Sequence, residues 1–429
     1  MTRHAAISRR GFLRRGLALV AAPAVIPASA LGRGGATAPS SQITLGVIGY
    51  GGRAQDVLGH FLVFPDVRCL ALCDVREGIR KVGKARIDAH YHNGDCRTCN
   101  DFREMLARDD LDACFIATGD RWHALASILA ARAGKDVYSE KPITLTIAEG
   151  RALVETMARL GTVYQAGHQR RSVDSYRFQV EAVRSGLIGK LQTIICQNWA
   201  GPVVGPEAAR PVPPGFDYEM WLGPTPYHPY TNARVGGWNY FWDTGAGPLI
   251  GMGCHYTDIA QWGHDSDGTG PTDYEGEAVF DPNAFSDTPV TAEIRCTYAD
   301  GVKILLRSSG TFDARYIRFI GTEGWVQVDD GPNRVTAQPA SILAARGISN
   351  RSWAHAGDHV RNFLDCVKTR QRTTCYPENA HRATTICHAA NLCIRLGRRL
   401  KWDPQAERFV GDDEANRMVS RAMRAPWRL

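Results

Sequence analysis

Downstream of residue 42, short apolar runs alternate with longer amphipathic stretches. Runs at 43–49, 68–74, 113–118, 136–139 and 162–166 have strand length and are separated by segments long enough for helices. The first and third are apolar at nearly every position, as parallel strands covered on both faces are. Repetition of this strand–helix unit predicts a doubly wound parallel sheet over residues 42–166, the first half of an α/β protein. After Gly167 the texture changes. Pro, Gly and aromatic residues crowd 199–242, and strand-like runs follow at 290–298, 302–308, 316–321 and 325–328, split by turns such as Ala299-Asp300-Gly301. This predicts a second, α+β domain over 167–402 with a large, mainly antiparallel sheet. Helices are expected at 355–369 and 377–396, and 403–429 reads as a polar tail.

The first thirty residues belong to neither pattern. Ser8-Arg9-Arg10-Gly11-Phe12-Leu13-Arg14 leads into an Ala-rich apolar stretch that closes on Ala28-Ser29-Ala30, a small-residue cleavage site. The segment 1–30 resembles a twin-arginine export signal, and the Gly, Ala, Pro and Ser-rich 31–41 reads as a linker. A periplasmic location follows as an expectation. No later stretch is apolar enough to cross a bilayer, so no membrane insertion is expected after cleavage. The formal charge of +7 is mostly this segment: five arginines lie in it, and without them the body carries +2. A nucleic-acid partner is therefore not expected. With 429 residues and 44% hydrophobic content, the chain can bury two cores of ordinary size.

Most of the twelve cysteines sit inside apolar runs, as small buried hydrophobes do. Only Cys96-Arg97-Thr98-Cys99 looks like a device. A single C-x-x-C without a second pair is weak evidence for zinc, and a loop disulfide or two unrelated thiols is the favoured reading; no metal is expected.

The first predicted strand ends in Gly49-Tyr50-Gly51-Gly52-Arg53-Ala54, the G-x-G-x-x-A form of a dinucleotide fingerprint. Gly49 permits the tight turn, Gly51 lets the backbone approach a pyrophosphate, and Ala54 lets helix and strand pack closely. The phosphates would rest on a helix N-terminus, where free N–H groups and the dipole favour an anion. Asp74 closes the second strand, spaced to accept hydrogen bonds from the adenosine ribose. It favours NAD over NADP, although Arg76 offers a place for a 2′-phosphate. The first domain is thus expected to be of Rossmann type.

Further motifs follow. They are Ala117-Thr118-Gly119-Asp120-Arg121-Trp122-His123 after the third predicted strand, Glu140-Lys141-Pro142, Gly167-His168-Gln169-Arg170-Arg171, and Gly247 to Trp262, which contains Gly251-Met252-Gly253-Cys254-His255-Tyr256-Thr257-Asp258. With Arg361-Asn362-Phe363-Leu364-Asp365-Cys366 and Trp402-Asp403-Pro404 they span nearly the whole body. The chain resembles the Gfo/Idh/MocA oxidoreductases, the family of glucose–fructose oxidoreductase and inositol dehydrogenase, and especially its exported branch. The resemblance implies that Gly49, Gly51, Gly52, Arg53, Asp74, Thr118, His123 and Glu140 serve the cofactor. It also implies that Lys141 contacts the substrate hydroxyl and helps move its proton, with Pro142 often cis in the family. A cation beside a developing alkoxide stabilises it. His255 takes the place of the family's acid/base or substrate-binding histidine, but the aspartate that usually orients it is replaced by Gly251. Asp258 or Asp243 are alternative carboxylates. Arg170 is expected to point into the interdomain cleft, and His123 is either a pocket residue or a packed structural one. A homodimer or homotetramer, associating through the open sheet face, is implied by the same resemblance.

Export constrains the reaction. Soluble NAD is not steadily supplied outside the cytoplasm, so the cofactor is expected to be carried out tightly bound and regenerated in place. Oxidoreduction of a sugar, sugar derivative or cyclitol ranks first. A redox-neutral glycoside hydrolase, working by oxidation, elimination, hydration and re-reduction, ranks second, and a non-catalytic sugar-binding protein third. Trp221, Trp238, Tyr240, Phe241 and Trp242 can face sugar rings or merely pack irregular loops.

Overall fold

The computed structural model describes residues 37–348 and 358–429. The segment read as an export signal, most of the linker and residues 349–357 lie outside the described residues.

The N-terminal half forms a six-stranded sheet from β1 (Ile43–Ile48), β2 (Val67–Cys73), β3 (Arg97–Cys99), β4 (Ala113–Ile116), β5 (Asp136–Ser139) and β6 (Tyr164–Ala166). Its order is β3-β2-β1-β4-β5-β6 and its pairs are parallel, with Val47 opposite both Leu72 and Phe115. Successive residues feed opposite layers, as the two-residue period of a strand requires. Leu45, Val47 and Phe115 pack with Ala54, Val57, Leu58 and Phe61 of α1 (Gly52–Leu62), whereas Ile48, Cys114 and Ile116 pack with Leu125 and Ile128 of α3 (Asp120–Arg132). α2 (Glu77–Tyr91) follows β2, and α4 (Ile147–Leu160) begins at a Thr146/Glu149 capping box and stops at Gly161 in the left-handed region.

β3 was not foreseen. It is a three-residue edge strand, and it occupies the C-x-x-C stretch: Cys99 pairs in register with Cys73, Cys96 is buried just before it, and all twelve cysteines are free. Of the two readings of Cys96 and Cys99, a loop disulfide or two unrelated thiols, the second holds.

The C-terminal half builds a nine-stranded sheet of order β13-β12-β11-β7-β10-β9-β8-β14-β15. Its strands are β7 (Leu191–Asn198), β8 (Asp273–Val279), β9 (Thr291–Thr297), β10 (Lys303–Ser308), β11 (Tyr316–Gly321), β12 (Trp325–Asp329), β13 (Arg334–Gln338), β14 (Leu400–Asp403) and β15 (Arg408–Phe409). Only β7 with β10 is parallel. One face buries Ile194, Ile294, Ile304 and Phe319 against α5 (Asp174–Arg184), α6 (Gly253–Gly263) and α8 (Pro377–Leu396); the other leaves Glu293, Arg295 and Lys303 exposed. α7 (His359–Thr369) crosses back to the first domain, where Phe363 meets the rings of Phe61 and Tyr138 edge-on.

Residues 403–429, read from sequence as a polar tail, are part of the fold. Phe409 is buried against Trp402, Ala148 N–H donates to Val419 O at 2.9 Å, and the Trp427 ring stands edge-on to Trp122 at 4.7 Å. Trp402, Phe409 and Trp427 supply the apolar contact that the polar composition hides. No helix among the described residues is long and apolar enough to cross a membrane.

Candidate active site

β1 delivers the chain into the turn at Gly49, whose φ of +83° suits glycine and whose absent Cβ would stand 2.8 Å from Ala117 O. Asp74 holds this turn from the next strand. Its Oδ2 accepts from Tyr50 N–H at 2.8 Å and its Oδ1 from Arg76 N–H at 2.9 Å. Gly51 caps α1 with no side chain, and the first turn of that helix has no acidic residue, so its N–H groups face the cleft uncompensated. A Cβ on Gly51 or Gly52 would meet no atom within 4 Å. The space above the helix N-terminus is open, and it is shaped to receive phosphates.

This cleft, about 1110 Å³, runs from Asp74 and Arg76 past the glycine turn to Thr118. The second domain supplies its far wall. Glu77 N–H donates to Gly215 O at 2.8 Å, Asp217 N–H to Val75 O at 2.9 Å and Asn100 Nδ2 to Asp217 Oδ2 at 2.6 Å, while the Arg76 guanidinium lies over the Phe216 ring at 5.0 Å. Residues 213–217 thus form a strap over the end of the cleft nearest Asp74. Beyond it, Arg121 lies over Trp221 at 3.9 Å and donates from Nε to Trp221 O at 2.6 Å. Burial lowers Arg121 to about 9.

A smaller cavity, about 250 Å³, adjoins the first; Arg53, Ala117, Thr118 and Trp238 border both. It also holds Asp120, His123, Glu140, Lys141, Trp199, Tyr240, Gly251 and Met252. The Lys141–Pro142 bond is cis, and Lys141 Nζ donates to Gly251 O at 2.7 Å. Glu140 is buried, receiving Gln169 Nε2 at 2.8 Å and Arg53 Nε at 3.1 Å. His123 ties two turns together, with Nδ1 2.7 Å from Pro142 O and Nε2 3.2 Å from Thr118 O. Burial lowers its basicity, against the pull of the Pro142 carbonyl.

The other sequence-selected residues do not reach this cavity. His255 is buried, its Nδ1 has no hydrogen-bond partner among the described residues, and its ring meets His168 edge-on at 5.5 Å. Burial, then the charges of Arg170 and Lys141, hold it well below the usual histidine range, so it is neutral. Among the described residues no carboxylate bonds to it. Arg170 does not point freely into the cleft: it grips Asp330 at 2.6 and 2.7 Å, a carboxylate that also receives Tyr176 and Tyr256. Asp258 faces the opposite way, fully buried and receiving Arg171 Nε at 2.8 Å. Asp243 pairs with Arg234 and His228. Neither carboxylate stands in for the one absent at 251.

Sequence reasoning missed Asp120. It is the first residue of α3 and 5% exposed, and burial pushes its carboxyl up to about 8 against the pull of Lys141 and Arg121. Its signal in the chain, an acid at the start of a helix, is too common to select it. The aromatic cluster divides. Trp238 and Tyr240 face the cavity, Trp221 backs Arg121, Trp242 lies under Arg395 and Arg421, and Phe241 is buried on Phe285.

Two family models match the chain, described as "Oxidoreductase family, NAD-binding Rossmann fold" over residues 43–168 and "Oxidoreductase family, C-terminal alpha/beta domain" over 181–429. The chain belongs to the Gfo/Idh/MocA oxidoreductase family. A glycosyl hydrolase family 109 protein of Saccharopolyspora erythraea is 35% identical over 121 residues, 27% of this chain and 26% of that protein. The shared stretch therefore spans about a quarter of that relative's length. The uncharacterized oxidoreductase YrbE of Bacillus subtilis is 22% identical over 368 residues, 83% of this chain and 96% of that one. Among solved structures, the WlbA dehydrogenase of Chromobacterium violaceum, in complex with NADH and UDP-GlcNAcA, superposes with a TM-score of 0.66 at 16% identity, covering 85% of this chain and 96% of that one. That likeness is one of fold.

Proposed function

We propose that this member of the family is an NAD-dependent oxidoreductase of a sugar, sugar derivative or cyclitol, exported by the twin-arginine route with its cofactor tightly held. The observation that carries the reading is a single one: Lys141, the only lysine among the described residues lining the small cavity, lies in a cavity that shares Arg53, Ala117, Thr118 and Trp238 with the glycine-turn cleft. The residues fit a dinucleotide. Gly51, Gly52 and the N-terminus of α1 would hold the phosphates, Asp74 the adenosine ribose, and Thr118, Arg53 and Glu140 the far end. The Asp74 carboxylate would repel a 2′-phosphate, which favours NAD. The 213–217 strap supports slow release.

A bound nicotinamide dinucleotide supplies a hydride acceptor and, on return, a donor. The chain's own residues supply the rest. The Lys141 amine takes the proton of the hydroxyl being oxidised, His123 and the Pro142 carbonyl fix the turn that carries it, and Trp199, Trp238 and Tyr240 exclude water and offer ring faces to a sugar. Association through the exposed face of the nine-stranded sheet belongs to the same proposal.

Redox-neutral glycoside hydrolysis is the second reading, favoured by two features: Gly251 leaves room beside Lys141, and His255 has no carboxylate partner among the described residues. The match to a family 109 glycosyl hydrolase supports it. One experiment separates the two. Protein purified without added nucleotide is analysed by native mass spectrometry for bound NAD, then offered free sugars, cyclitols and aryl glycosides. Aglycone release without change at the reduced-nicotinamide absorbance favours hydrolysis, and steady NADH accumulation with a free sugar rules it out. A chain that neither contains nor binds a dinucleotide overturns both.

A further inference from the structure

Cys96 and Cys99 do not face each other. An odd number of steps along an extended strand sends two side chains to opposite faces, and here Cys96 packs into the layer of α1 while Cys99 packs against the layer of α3. The neighbour of Cys99 is Cys73. The two are register partners on the parallel strands β2 and β3, and both belong to the α3 layer. Adjacent strands run about 4.8 Å apart, within the roughly 4.4–6.8 Å between the Cα atoms of a disulfide. The Cys73 sulfur leans toward β3: its thiol donates at 3.3 Å to the carbonyl of Asn100, the residue after Cys99. Cys73 is buried and Cys99 only partly so, and a reagent in solvent therefore meets Cys99 first. The neighbouring Cys73 thiol also holds Cys99 below the usual cysteine value, whereas Cys99 and burial push Cys73 up. The thiol more readily ionised is the one that attacks.

Cys73, Asp74 and Asn100 line the adenosine end of the cofactor cleft. Asp74 follows Cys73 and Asn100 follows Cys99, and Arg80 of α2 ties the two strand ends together, donating from Nη1 to Asp74 O at 2.5 Å and to Asn100 Oδ1 at 3.0 Å. Asn100 in turn holds Asp217 of the strap. We propose that Cys73 and Cys99 are an oxidation site, whose disulfide fixes the ends of β2 and β3 and, through Asn100, clamps the 213–217 strap over a bound dinucleotide. The assignment deepens the proposed function and rests on its exported, tightly held cofactor. The oxidant is an external disulfide. The Cys99 thiolate attacks one of its sulfurs, forming a mixed disulfide and releasing one thiolate. Cys73 then loses its proton and attacks the Cys99 sulfur, displacing the second. One protein disulfide forms and the reagent is reduced to two thiols, so two electrons pass from the protein to the reagent. In the cytoplasm the cysteines stay reduced and the strap is free to open for loading; outside it the bond persists.

The test uses the full chain with its dinucleotide, oxidised glutathione as oxidant and dithiothreitol as reductant. Trypsin cuts after Arg97 and so parts Cys96 from Cys99, and peptide mass spectrometry without reduction reads the pairing. The expected product links the peptide Cys69–Arg76 to Thr98–Arg103, with fragmentation placing the bond on Cys73. Glutathione adducts that never resolve, or pairing through Cys69 or Cys96, overturn the proposal. Exchange of bound NAD for isotope-labelled NAD, followed by native mass spectrometry, should then be roughly three- to tenfold slower in the oxidised protein than in the reduced one. Dithiothreitol should restore the faster rate, and Cys99→Ser, which lacks the attacking thiol, should exchange at one rate with and without oxidant. A bond that forms without slowing exchange overturns the clamp. If the bond forms but the chain neither contains nor binds NAD, the oxidation site stands and it is the functional reading that fails.

Discussion

Lys141 is expected to be expendable for the fold and indispensable for turnover. Its Nζ bonds one carbonyl, that of Gly251, whereas the groups that shape the cofactor cleft lie on other strands and turns. Lys141→Ala should lose about 10²- to 10⁴-fold in kcat, the range of a positioned proton-transfer group, and keep its dinucleotide. Parallel assays of turnover and of bound NAD check this, and full activity would remove the lysine from the chemistry. Gly49 is the converse case. A side chain there meets both a left-handed φ and the Ala117 carbonyl, so Gly49→Ala should cost about 1–2 kcal/mol from the conformation alone and weaken NAD binding at least tenfold, measured by thermal unfolding and by titration calorimetry. Both residues were legible in the sequence because their chemistry restricts what can replace them. Asp120 was not, since an acid in the first turn of a helix ordinarily just complements the dipole. Only the fold places it in the cavity that Lys141 also lines. Asp258 misled for the same reason: three residues from His255 along α6, it faces Arg171, which lies 87 positions away.

At the scale of elements, the contact between α4 and α8 joins the two halves of the chain and rests on a glycine. A Cβ on Gly150 would stand 2.1 Å from His381 Nδ1, and that ring is buried and fixed by Glu407 at 2.8 Å. Gly150→Ala should therefore destabilise by about 1–3 kcal/mol, overriding the roughly 1 kcal/mol that alanine gains in a helix. Glu407 also receives Arg151, at 2.6 Å. Burial pushes its carboxyl up, but the bonds from His381 and Arg151 outweigh that and hold it at about 2. A carboxyl depressed by folding stabilises above its ordinary value near 4.5 and loses that contribution as pH falls toward 2. The melting temperature of Glu407→Gln is thus expected to fall short of the wild type at pH 7, the gap closing below pH 4; a gap that persists at pH 2 would locate the effect elsewhere. Elements with a clean period were legible: β5, β11 and α8 lie at 136–139, 316–321 and 377–396 as read. β7 and β8 were not. β7 buries three consecutive residues, and β8 fully buries only Tyr274 among polar neighbours, with Gly276 there because the Glu293 carbonyl of β9 leaves no room for a Cβ. Neither writes an alternating pattern.

For the whole molecule, the cofactor cleft is complete only when both domains and the C-terminal segment have folded. Its floor is β1, β2 and β4, its cover is the 213–217 strap, and Trp427 braces Trp122 on its wall. An unfolded chain threaded across a membrane would have to build this cleft where NAD is scarce. A chain exported after folding would carry NAD out inside it, and ligand binding to the folded state would add stability in transit. Arg9 and Arg10 are therefore expected to govern both location and loading. In a Gram-negative host, Arg9→Lys with Arg10→Lys should leave full-length chain in the cytoplasm with NAD bound, whereas the wild type appears in the periplasm cut after Ala30, also with NAD and without a change of content on washing. Cell fractionation with native and peptide mass spectrometry reads all three quantities. Equal export of the double variant would sink the twin-arginine route. Periplasmic protein that arrives empty yet binds added NAD would sink the carried cofactor, and with it the need for the hydride to be returned within one site.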